Sequence, residues 1–150
     1  YRTLLGAGGG ERGFIVASVT QPTFGGEGTI TVATLGKDGS VSPEQILDGT
    51  KNVTETRVAL TGDGDRFLAA WSAPQDGGSV LRVGLLDAAG RPVSNVPVIG
   101  GRNEVAGSLS LTRQSEGRYL LIYPRVASGG AGLVIRELRY GGSGRVRAVR

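Results

Sequence analysis

An all-β fold is predicted by three observations on this 150-residue chain. A block of strand character recurs three times, no stretch carries a helical period with caps, and 27 residues are glycine. The usual glycine share is about 7%, and here the excess collects between the apolar runs. The blocks are Gly13-Phe14-Ile15-Val16-Ala17-Ser18, Arg66-Phe67-Leu68-Ala69-Ala70-Trp71-Ser72 and Arg118-Tyr119-Leu120-Leu121-Ile122-Tyr123. Their leading aromatics, Phe14, Phe67 and Tyr119, lie 53 and 52 residues apart. A fixed period of that size marks repeat architectures.

Each unit opens on a short apolar run: Thr3-Leu4-Leu5, Arg57-Val58-Ala59-Leu60 and Ser108-Leu109-Ser110-Leu111. A polar turn follows at Gly8-Gly9-Gly10-Glu11, Gly62-Asp63-Gly64-Asp65 and Gln114-Ser115-Glu116-Gly117. The aromatic block is the second strand. A Gly-rich loop comes next, over residues 20–28, 73–79 and 124–132. The third strand covers residues 30–35, 81–86 and 133–138. It closes in a turn at Asp38-Gly39, Ala89-Gly90 and Gly141-Gly142, and a weaker fourth strand begins near Val41, Val93 and Arg145. Connections this short make neighbouring strands antiparallel. The four strands of a unit are termed A to D.

The faces of strand B decide how the units stack. Side chains alternate along a strand, so Phe67, Ala69 and Trp71 oppose Leu68 and Ala70. In the third unit Tyr119, Leu121 and Tyr123 oppose Leu120 and Ile122. Both faces are apolar, which requires cover on both sides. Strand D carries Pro43, Pro92 and Pro97, and proline belongs on edge strands or at strand starts. Small four-stranded sheets stacked face to face with a blunted outer edge describe a β-propeller. The expected fold is a β-propeller segment of three four-stranded antiparallel blades, with a β-sandwich of about 12 strands as the alternative. The expected blade boundaries are 1–54, 55–105 and 106–150, within one segment and not as independent domains.

The second unit carries a more specific likeness. Its strand Phe67-Leu68-Ala69-Ala70-Trp71 and the turn Leu86-Asp87-Ala88-Ala89-Gly90 resemble tandem β-propeller repeats of large secreted or surface bacterial proteins, which pair a Tyr-Leu-Val-Val-Trp strand with a Leu-Asp-x-x-Gly turn. The third unit places Tyr123 at the Trp position and lacks the Asp. The first places Ser18 there. The resemblance implies a propeller fold and an extracellular or cell-surface location, and it implies no chemistry. The Ser-x-Asp-x-Gly-x-Thr-Trp repeat of sialidases is absent.

Propellers use 4–8 blades, so three blades leave an apolar face open at each end. The partners expected are further blades, from the parent chain or from other copies. The chain begins at Tyr1 with no methionine anywhere, which reads as a piece of a longer product.

Composition narrows the chemistry. With no Cys there is no disulfide, thiolate metal site or cysteine nucleophile. With no His there is no Ser-His-Asp triad, and the commonest general base is missing. No cofactor is expected. No apolar run approaches the roughly 20 residues of a membrane helix. Charge is uneven: residues 1–75 carry 6 basic and 8 acidic side chains, residues 76–150 carry 11 and 5. Arg136, Arg139, Arg145, Arg147 and Arg150 form a candidate anion patch, set against the plainer reading of a solvated strand face. Nucleic acid is not the expected ligand, since no aromatic motif accompanies these charges.

Two features are read as structural. Asp63 and Asp65 invite a calcium reading, but the loop pattern is incomplete and unrepeated, so a hairpin turn is expected. Trp71 is expected in the core. The candidate ligand residues lie on the B–C loops, because long loops on a rigid scaffold carry binding. They are Gln21, Phe24, Gln75, Asp76 and Arg125, with Phe24 the one aromatic among them.

The expected function is that of a non-catalytic scaffold or binding module of an exported bacterial protein, recognising protein or glycan through the B–C loop face. The alternatives are a structural three-blade subunit that assembles into a closed oligomer or filament, and a part of a propeller hydrolase with its active site outside this segment.

Overall fold

A computed structural model describes the chain except residues 25, 54–56, 94–96, 128–129, 141–145 and 150, with backbone alone at 126–127, 146–147 and 149. The described residues hold twelve strands and no helix. They form three four-stranded antiparallel sheets, each a simple meander of consecutive strands. Sheet 1 comprises β1 (Arg2–Gly10), β2 (Gly13–Thr20), β3 (Thr29–Gly36) and β4 (Gln45–Ile46). Sheet 2 comprises β5 (Val58–Asp63), β6 (Arg66–Gln75), β7 (Gly78–Leu86) and β8 (Val98–Ile99). Sheet 3 comprises β9 (Ser110–Ser115), β10 (Arg118–Ala127), β11 (Gly130–Tyr140) and β12 (Val146–Val149). Three sheets rather than two set aside the sandwich alternative.

The sheets stack in chain order, and β6 shows why. Phe67, Ala69, Trp71 and Ala73 pack with Ile15, Ala17, Ile30 and Val32 of sheet 1. Leu68 and Ala70, on the opposite face, pack with Tyr119, Leu121, Tyr123 and Leu138 of sheet 3. The double-sided apolar strand is therefore covered on both sides by its neighbours. Fully burying a Val, Leu, Ile or Phe side chain of this set contributes about 1.5–3 kcal/mol. Sheets 1 and 3 each present one outer face to solvent, so the stack is open at both ends. Leu4, Phe14 and Leu35 stand exposed at one end, Leu133 and Ile135 at the other.

The first strands of the sheets lie side by side, β1 against β5 and β5 against β9. The approach is close enough to select glycine. A Cβ on Gly62 would stand 2.0 Å from the Gly9 carbonyl oxygen, and one on Gly8 would stand 2.8 Å from the Leu60 backbone. This corrects the sequence reading of Gly8-Gly9-Gly10-Glu11 as a turn. Gly8, Gly9 and Gly10 belong to β1, paired with Ile15, Phe14 and Gly13, and the turn falls at Glu11-Arg12. Glycine there serves close backbone approach.

Two further expectations shift. Strand D is only two residues long in sheets 1 and 2. Val41 and Pro92 make isolated bridges to Leu35 and Leu86, and regular pairing resumes later. Proline lacks the donor that a longer ladder needs. The B–C connections are also shorter than expected. Only sheet 1 has a long one. In sheet 2 the strands run to Gln75 and from Gly78, leaving the two-residue turn Asp76-Gly77 with φ of 49° and 74°, the positive pair that a type I′ hairpin requires. In sheet 3 Ala127 pairs with Gly130, and the turn between lies outside the described residues, as does Gly141-Gly142.

Candidate binding cleft

The B–C and D–A connections of a meander emerge at the same end of its sheet. At that end a cleft of about 530 Å³ opens between sheets 1 and 2. Its floor is Val53, Ser72 and Ala73, all buried. Its walls carry Glu27, Asn52, Gln75, Asp76, Ser79 and Asn103. Four segments meet here: the end of the long loop of sheet 1, the segment following β4, the hairpin of sheet 2 and the segment following β8.

The backbone of these walls is unusual. Among the described residues, three non-glycine side chains adopt a positive φ: Asn52 at 58°, Asp76 at 49° and Asn103 at 54°. All three line the cleft. Asn and Asp tolerate this conformation because a short polar side chain can bond locally. Asn103 does so. Its Oδ1 accepts the Ser79 N–H at 2.8 Å, and its own N–H donates to the Ser79 carbonyl at 2.7 Å. Gly28 and Val53 form the matching bridge in sheet 1, with backbone bonds of 2.9 and 2.8 Å. Arg102 donates to the Asp76 carbonyl and steadies the hairpin tip.

Of the five candidate ligand residues, Gln75 and Asp76 lie in the cleft wall. Gln21 lines an adjoining hollow of about 320 Å³ that shares Glu27 and Asn52 with the cleft. Its side-chain amide is used within the loop, donating to the Gly26 carbonyl. Phe24 is exposed and meets Tyr1 edge to face, with ring centroids 5.8 Å apart. Arg125 is exposed on β10, opposite Gly132, and lines neither space. Sequence reasoning missed Glu27, Asn52 and Asn103. A signal for the last two existed: Gly49 and Gly100, both with positive φ, each stand three residues before an Asn.

The arginine cluster is divided. Arg136 sits in a compact network with Tyr123 of its own sheet and Glu104 of the segment that leaves sheet 2. Its Nε donates to the Tyr123 hydroxyl at 2.8 Å and its Nη2 to Glu104 Oε1 at 2.9 Å, and Tyr123 donates to the same oxygen at 2.7 Å. Burial pushes the Glu104 carboxyl up. The Gly101 N–H, the Tyr123 hydroxyl and the Arg136 guanidinium outweigh it and hold Glu104 below the ordinary carboxylate range. Burial and the Glu104 carboxylate raise the Tyr123 phenol. Arg139 pairs with Glu137 at 2.7 Å, and Arg118 pairs with the same carboxylate at 3.1 Å. Arg147 stands opposite Arg139 in the β11–β12 ladder. Arg145 and Arg150 lie outside the described residues.

Asp63 ends β5 and Asp65 lies in the β5–β6 turn, and Asp63 is ion-paired to Arg113 at 3.1 Å. No group of three metal-ligating acids occurs among the described residues.

Neither a family model nor a curated protein matches the chain. Among solved structures it is similar to the alpha-L-arabinanase of Cellvibrio cellulosa complexed with arabinohexaose, with 15% of residues identical and a TM-score of 0.46. The match covers 91% of this chain and 53% of that one, about half the length of the enzyme.

Proposed function

We propose that the three sheets are blades of a β-propeller segment, of the tandem-repeat kind found in exported bacterial proteins, and that the chain works as a non-catalytic binding module. The ligand is a protein segment or a glycan, taken up at the B–C/D–A end. One observation carries this reading: the cleft between sheets 1 and 2, where Gln75 and Asp76 stand with Glu27, Asn52 and Asn103 over a buried floor of Val53, Ala73 and Ser72. A few convergent polar groups above buried apolar side chains is the common makeup of a ligand site. Amides, carboxylates and hydroxyls together suit a hydroxyl-rich or backbone-like ligand. The strained Asn52, Asp76 and Asn103 fit the tendency of such conformations to gather at functional sites. The absence of His and Cys from the sequence favours binding over catalysis.

The test is a glycan array followed by calorimetry with the best ligand, run on the native chain and on Gln75→Ala, Asp76→Asn and Phe24→Ala. The cleft reading expects affinity to fall at least about tenfold for the first two, the loss of one or two good hydrogen bonds. Phe24→Ala is expected to bind as the native chain does. A loss confined to Phe24→Ala would move the site to the loop of sheet 1 and sink the cleft.

A further inference from the structure

The two open faces of the stack are counterparts of one another. Phe14 stands opposite Leu35 across β2 and β3. Phe67 stands opposite Leu86 in sheet 2, and Tyr119 opposite Leu138 in sheet 3. These are the same cross-strand pair, one repeat apart. Phe67 and Leu86 are buried against sheet 1, and Tyr119 and Leu138 against sheet 2. Phe14 and Leu35 are 55% and 40% exposed. They occupy the face by which sheets 2 and 3 each receive the sheet before them, and no described residue covers that face of sheet 1.

The outer face of sheet 3 is the complementary kind. Ile122 pairs with Ile135, and Pro124 with Leu133. Their equivalents are Ala70 with Val83 and Ser72 with Leu81 in sheet 2, and Ala17 with Val32 and Val19 with Ile30 in sheet 1. All eight equivalents are buried, whereas Leu133 and Ile135 are 66% and 61% exposed. Each interface inside the chain joins one face of the first kind to one of the second. Among the described residues one face of each kind stays uncovered.

We propose that these two faces pair between two copies of this chain, the Leu133/Ile135 face of one against the Phe14/Leu35 face of the other, twice, closing a ring of six sheets. The occupant is a second copy because the new contact continues the interface already made twice within the chain, in the same strand order. Six four-stranded sheets lie within the range of closed propellers, and a closed ring leaves no apolar face over. The contact is heterologous, face to unlike face, and the two-fold arises because two such contacts close. Closure rests on the blade reading above. Ligand uptake at the cleft is independent of it.

Sedimentation velocity and light scattering on the full 150-residue chain test the pairing. The expected species is a dimer of the 15.4 kDa chain. Phe14→Asp and Ile135→Asp each place a charge in both new contacts and are expected to weaken dimerisation by about 30-fold or more, the scale of an interface hot spot. Fluorescence of the single Trp71, buried between sheets 1 and 2, reports that each variant is folded. Mixing the two variants restores one unblocked contact of the two, so a heterodimer is expected that neither variant forms alone. A native chain that stays monomeric at all concentrations overturns the proposal. So does a chain that grows beyond two copies, which denies closure. Dissociation by only one of the two variants also overturns it, because that outcome denotes a like-to-like contact.

Discussion

The indole Nε1 of Trp71 donates to the Asp48 carbonyl at 2.9 Å. A core side chain of sheet 2 thus holds the segment that leaves sheet 1. Arg82, opposite Trp71 in the ladder, adds an ion pair to the Asp48 carboxylate at 2.9 Å. Sheet 3 repeats the device with different chemistry, Tyr123 and Arg136 holding Glu104. Trp71→Phe keeps an aromatic ring and removes the donor. It is expected to cost about 1–3 kcal/mol, from the lost hydrogen bond and the space left by the smaller ring. Urea unfolding followed by far-ultraviolet circular dichroism measures it.

Two tyrosines on the same face of β10, Tyr119 and Tyr123, are expected to answer differently to loss of a hydroxyl. Tyr123 donates to Glu104 and accepts from Arg136, so Tyr123→Phe is expected to lose about 1.5–3 kcal/mol, the scale of bonds to charged groups. The Tyr119 hydroxyl is buried near the Asp63 carboxylate yet forms no hydrogen bond of good geometry among the described residues, and burial together with that carboxylate pushes its phenol up. Tyr119→Phe is expected to be neutral or mildly stabilising. Equal losses in the two unfolding curves would refute the contrast.

Glu104 predicts an acid limb. Its carboxyl is held below the ordinary value of about 4.3 in the folded chain. A depressed carboxylate contributes stability that is complete above the unfolded value and is lost as pH falls through the folded one. The native chain is therefore expected to lose stability relative to Glu104→Gln as pH drops from about 5 toward 3. Urea midpoints of both proteins across that range give the difference directly. A difference that does not change with pH would assign the depression elsewhere.

The meeting of β1 and β5 predicts a contrast between two glycines. Gly62→Ala places a Cβ 2.0 Å from the Gly9 carbonyl oxygen, where backbone must move, and is expected to cost about 3 kcal/mol or more. Gly132→Ala meets nothing within 4 Å and is expected to stay within about 0.5 kcal/mol of the native chain. Thermal unfolding of both variants checks this.

Much of the fold was legible because its signals are periodic. The aromatics Phe14, Phe67 and Tyr119 fixed three units, and the two apolar faces of 67–71 required a neighbour on each side. What the sequence concealed depends on contacts between units. Gly8, Gly9 and Gly10 look like a turn until β5 lies against them. The B–C connection of sheet 2 looks long because Pro74, Gln75 and Gly78 are turn-like residues, yet they complete a hairpin closed by Asp76-Gly77. At the cleft, Gln75 and Asp76 were nominated by their loop. Asn52 and Asn103 enter from the segments following β4 and β8, and no local pattern announces that such segments converge. Arg136 read as free charge because Glu104, its partner, lies 32 residues away.

Among the described residues the middle sheet alone has both faces covered, and each sheet is a continuous stretch of chain joined to the next by one segment. Stability in such a stack is close to a sum of units and nearest-neighbour contacts. Deuterium uptake should therefore be graded along the polypeptide: slowest in β6 and β7, faster in the sheets on either side. Either outer sheet can open and re-form without dissolving the rest, while damage to β6 releases both neighbours at once. The 66–86 hairpin is in this sense the keystone, the segment where a fault spreads in both directions.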